Sequence, residues 1–68
     1  MYNQIIKDTD NISREVAYIK KIKHMYKDLK GQEILEDFIE VLVLGKERKW
    51  VQYYPLIDFV RLNPEVRI

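Results

Sequence analysis

The sequence predicts an all-α fold, a small three- to four-helix domain built on an antiparallel helical hairpin, and three observations carry that prediction. Apolar residues recur at helical spacing through Ile12, Val16, Ile19, Ile22, Tyr26 and Leu29, then through Ile34, Leu35, Phe38, Ile39 and Leu42. Gly31 and Gly45 stand where each segment ends, the place at which a helix takes a left-handed residue. Charge also reverses between the segments: residues 20–30 sum to +4 and residues 31–44 to −4. A basic helix followed by an acidic one, joined by a short link, should pack as antiparallel neighbours.

Taken in order, residues 1–9 form a lead-in in which Ile5 and Ile6 can anchor to a core. Asp8, Thr9, Asp10 and Asn11 are helix-starting types, acidic where the helix dipole favours negative charge. The first helix, of roughly 27 Å, sets Lys20, Lys23, Lys27 and His24 along one flank of its apolar stripe. The second places Glu33, Glu36, Asp37 and Glu40 opposite its apolar face. Residues 45–54 then read as a short third helix, with Trp50, Tyr53 and Tyr54 sharing a face. Pro55 opens a last helical turn with Leu56, Phe59 and Val60 apolar, and Asn63-Pro64 stops it before a tail at 65–68. One alternative stays open: KWVQYY is rich in strand formers, so a β-hairpin at about 41–54 would make the fold α+β.

Length and composition bound the rest. The chain of 68 residues makes a single small domain, and with no cysteine it has neither disulfides nor a thiolate zinc site to stabilise it. A core of this size yields only about 3–5 kcal/mol net, which points to a protein partner or a homodimer. The net charge is +1 and the longest apolar run, Val41 to Leu44, is far too short to span a bilayer. The N-terminus lacks the basic region and apolar core of a signal peptide, so a soluble cytoplasmic protein is expected, with no membrane partner. The abundance of Lys, Ile and Tyr fits an AT-rich coding sequence, as in a phage or other mobile element.

Catalytic material is scarce. His24 is the only histidine and reads as a solvated surface residue, while Thr9 and Ser13 lie where helix capping explains them. The carboxylates at 33, 36, 37 and 40 read as a solvated face, not a metal site, since no second element supplies ligands. With only two glycines there is no phosphate-binding loop. The expectation is therefore no enzyme, no cofactor and no metal.

The best candidate contact residues are Arg48, Lys49, Trp50 and Tyr53, residue types enriched at binding hot spots, with Lys20, Lys23 and Lys27 as a secondary basic patch. The function expected is a small interaction protein that binds and modulates a protein partner, as a regulator or inhibitor. The alternative is a DNA-binding regulator of helix-turn-helix or winged-helix type, with residues 46–52 as reader. If residues 41–54 are a hairpin, GKERKW resembles the wing of small winged-helix excisionases over a minor part of the chain. The acidic segment beside this reader weighs against nucleic acid.

Overall fold

The computed structural model describes residues 3–68 and shows a four-stranded antiparallel sheet followed by one short helix. The strands are β1 (Gln4–Lys7), β2 (Ser13–Lys27), β3 (Glu33–Leu44) and β4 (Lys49–Pro55), paired in the order of the sequence. Helix α1 (Leu56–Leu62) closes one face of the sheet. The all-α expectation is thus wrong, and so is the helical hairpin: both of its segments are strands. A β-hairpin does occupy residues 41–54, but inside a four-stranded sheet and not attached to a helical pair. The final helix stands where Pro55 and Asn63 placed it. Residues Gln4–Lys7 of the expected lead-in at 1–9 are strand β1; Met1 and Tyr2 lie outside the described residues.

Local chemistry explains the strands. The two clusters read as helix punctuation are one turn used twice. At Asp8–Ile12 and again at Asp28–Gln32 the aspartate carbonyl accepts from the residue three on, Asn11 (2.9 Å) or Gly31 (3.0 Å). Its amide donates to the carbonyl four on, at 3.0 Å in both turns. The carboxylate Oδ1 accepts the amides two and four residues on, from Asp10 and Ile12 in the first turn and Lys30 and Gln32 in the second, at 2.9–3.0 Å. Asn11 (φ 62°) and Gly31 (φ 79°) supply the left-handed residue that this hairpin loop requires. Asp-x-x-Asn and Asp-x-x-Gly therefore reverse a strand here instead of starting and ending a helix.

Register sets the faces. Ile39, Val41 and Val43 of β3 are buried under α1, together with Ile6, Val16, Tyr54 and Phe59. Tyr54 and Phe59 pack with ring centroids 6.0 Å apart. A bulge between Val16 and Ile19 lets both residues face this core despite their odd spacing, so the inward parity of β2 switches there. Asn63 joins the helix end to the sheet: its Oδ1 accepts the Lys7 amide (2.7 Å) and its Nδ2 donates to the Lys7 carbonyl (2.9 Å). These are the outward groups of Lys7 on the edge strand β1, so one carboxamide caps that point of the edge.

Beyond the core, β2 and β3 continue as an arm. β1 covers β2 only up to Val16, and β4 covers β3 only from Phe38 onward. Residues Lys23–Lys27 and Glu33–Asp37 therefore pair only with each other, and Lys20–Ile22 pair only with Phe38–Glu40. The charge reversal of the sequence is a cross-strand ladder, with Lys20 opposite Glu40, Lys23 opposite Asp37 and Lys27 opposite Glu33. The Lys23 ammonium and Asp37 carboxylate approach to 3.7 Å. Such exposed pairs contribute about 0–1 kcal/mol each, so they favour this register more than they stabilise the fold. No helix of the described residues is long and apolar enough to cross a membrane.

Candidate functional site

Helix α1 covers one face of the sheet; the other face has no helix over it. Alternation places Tyr18, Ile22 and Tyr26 of β2 on it, with Ile34, Phe38 and Leu42 of β3 beside them. Val51 and Tyr53 of β4 extend it on the far side. Ile22, His24, Phe38 and Tyr53 line a shallow concavity of about 340 Å³. His24 packs its ring on the edge of Phe38, with centroids 5.6 Å apart at 70°, and stacks near Tyr26 at 6.1 Å. Two neighbouring rings thus hold the imidazole in place.

Glu40 is the polar centre of this face. The Tyr18 hydroxyl donates to Glu40 Oε2 at 2.9 Å. Its hydrogen bond to Glu40 comes first in pushing the Tyr18 pKa above the ordinary tyrosine value, and Tyr53 of β4 is raised first by its own hydrogen bonding to Glu40. Desolvation, followed by the charge of Glu36, raises Tyr26. All three phenols stay neutral donors at physiological pH. Lys20 and Lys49 balance Glu36 and Glu40, so the face is aromatic and close to neutral.

The contact residues expected from sequence do not form one cluster. Trp50 pairs with Val43 and lies on the helix-covered face, half-buried. The guanidinium carbons of Arg14 and Arg48 lie 5.9 and 5.7 Å from its ring centroid, a cation–π arrangement that fixes it over the β3–β4 turn. Tyr53 and Lys49 project from the open face, because residues an odd number apart on a strand point to opposite sides. The secondary basic patch divides likewise: Lys20 is on the open face, while Lys23 and Lys27 are on the other side of the arm. The carboxylates of the acidic segment split into Glu33 with Asp37 and Glu36 with Glu40. Among the described residues no group of three or more His, Cys, Asp or Glu side chains is placed to hold a metal ion.

Sequence reasoning missed Tyr18, Ile22 and Phe38 as residues of an open face, having put Ile22 and Phe38 in a helical core, and read Glu40 only as part of a solvated carboxylate face. The β-branched residues Ile34, Ile39, Val41 and Val43 and the Asp-led clusters before each segment were the signals that could have found them. Compared with known proteins, the chain matches no family model, no curated protein and no solved structure, so its functional reading rests on its own surface.

Proposed function

We propose that the chain is a non-catalytic protein-binding module whose contact surface is the open sheet face around Ile22, Phe38, Tyr53 and Glu40. The observation that supports this most is the uncovered aromatic face opposite the helix-covered core. The chain exposes 5680 Å², against about 4,600 Å² for a compact monomer of its mass. The excess, about 1,100 Å², is comparable to the roughly 800 Å² per partner that a standard interface removes from solvent. The balance of Lys20 and Lys49 against Glu36 and Glu40 supports a protein over a nucleic acid, whose phosphates need a net positive surface. A cytoplasmic setting belongs to this reading, on the 34% charged composition.

The test compares proteins captured from a lysate by the wild type and by a Phe38→Ala, Tyr53→Ala double variant whose circular dichroism is unchanged. Loss of a specific band in the variant supports the reading; the same captured proteins with both refutes this surface. In parallel, ¹⁵N chemical shifts are followed during titration with a single-stranded oligonucleotide at low salt. Saturable shifts on the open face would replace the protein partner with nucleic acid.

A further inference from the structure

The arm carries a second surface, distinct from the open face. In an antiparallel ladder, residues alternately turn both backbone polar groups toward one neighbour and then the other. The Asp28 amide donates to Gln32, so Tyr26, His24, Ile22 and Lys20 are the residues bonded to β3. The N–H and C=O of Lys21, Lys23, Met25 and Lys27 then face outward, where β1 does not reach. The same alternation turns Lys7 outward on β1, and there Asn63 satisfies both groups. The β1 edge is thus capped at Lys7, whereas the β2 edge of the arm has no such cap among the described residues.

We infer that the free edge of β2, from Lys21 to Lys27, accepts an extended acidic segment of another protein as an added strand. This rests on the protein-binding reading and names the partner's chemistry. The side chains along the edge define the complement. On one side of the arm Lys21, Lys23 and Lys27 are exposed around Met25; on the other Ile22 and Tyr26 flank His24. A strand with carboxylates facing the lysines and apolar residues facing Ile22 and Tyr26 fits both sides.

β3 already demonstrates that fit on the opposite edge. It sets Glu33 against Lys27, Asp37 against Lys23, Leu35 against Met25, Ile34 against Tyr26 and Phe38 against Ile22. A second copy pairing through the same edge brings lysine against lysine, which opposes self-association and leaves an acidic partner favoured. Main-chain bonds supply affinity in strand addition, and the alternating side chains supply selectivity.

The probe is a synthetic peptide with the sequence of residues 33–40, EILEDFIE, added to the full chain and followed by amide hydrogen exchange. Protection should rise roughly tenfold at Lys21, Lys23, Met25 and Lys27 and stay level at Lys20, Ile22, His24 and Tyr26, since only the outward amides gain a bond. A peptide with every carboxylate replaced by lysine should give no protection. Met25→Pro removes an outward donor without touching the β2–β3 ladder, and should abolish the effect with the chain still folded. Binding that leaves the outward amides unprotected but shifts Phe38 and Tyr53 overturns this inference while the open-face reading stands. Faster exchange across β3 means strand displacement and also overturns it. No saturable change on either surface at about 1 mM peptide overturns it too, such an affinity being weaker than strand addition supplies.

Discussion

Asn63→Ala tests how the short helix is tied to the sheet. The Asn63 carboxamide accepts the Lys7 amide at 2.7 Å and donates to the carbonyls of Lys7 (2.9 Å) and Phe59 (3.2 Å). Alanine removes all three bonds. At about 0.5–1.5 kcal/mol net per bond the total lies between about 1.5 and 4.5 kcal/mol. Lys7 is an exposed residue, so water can reach its freed groups and the lower half of that range applies, about 2 kcal/mol. For a domain of this size that lowers the melting temperature by about 8–16 °C. The assay is thermal and urea unfolding followed by far-ultraviolet circular dichroism, with amide exchange at Lys7 as the local readout. Asn63→Asp keeps the acceptor for the Lys7 amide but sets a carboxylate against the Lys7 carbonyl, so it should be at least as damaging. A change below about 0.5 kcal/mol, the scale of an ordinary surface substitution, would show that Asn63 does not clamp α1 to β1.

Three further outcomes follow from the turns and their neighbours. Gly45→Ala should destabilise by about 1–3 kcal/mol, because its Cβ would sit 2.7 Å from the Trp50 ring and 2.8 Å from the Arg48 carbonyl oxygen; urea unfolding measures it. Gly31→Ala forces a side chain into φ 79° and should cost about 1 kcal/mol, whereas Asn11→Gly, at φ 62°, should change stability by less than that. Asp8 accepts the Ile12 amide, the largest influence holding its pKa below the usual 3.8, with the Arg14 guanidinium at 3.1 Å adding to it against desolvation. A carboxylate depressed on folding contributes stability that is present above its unfolded pKa and is lost as pH falls through its folded one. Stability should therefore decline below about pH 4 in the wild type, with a shallower decline in Asp8→Asn; equal slopes in acid unfolding curves would contradict this.

How legible the molecule was depends on the element. Helix α1 was legible because Pro55 and Asn63-Pro64 bracket it with local backbone constraints. The strands were not, and the cause is arithmetical. Ile34, Phe38 and Leu42 are four residues apart, as are Leu35, Ile39 and Val43, and four is both a helical repeat and a multiple of two. A sheet apolar on both faces therefore imitates a helical stripe, and the bulge after Val16 added a spacing of three in β2. The β-branched residues Ile34, Ile39, Val41 and Val43 and the repeated Asp-led turns argued for strands. The site suffered from the same error. Arg48, Lys49, Trp50 and Tyr53 are clustered in sequence, but a strand sends Trp50 one way and Tyr53 the other. Nothing in the fold or the comparisons supports a regulatory, inhibitory or phage-derived role, and a helical domain is excluded. A helix-turn-helix needs two helices, and the described residues hold one.

The basic and acidic segments are two strands of one ladder, with one edge of the basic strand free. Amide hydrogen exchange of the isolated protein, resolved residue by residue over Lys20–Lys27, tests it most directly. Alternation is expected: slow exchange at Lys20, Ile22, His24 and Tyr26, and fast exchange at Lys21, Lys23, Met25 and Lys27. Uniform protection through the segment, as in a helix whose every amide bonds four residues back, would contradict it.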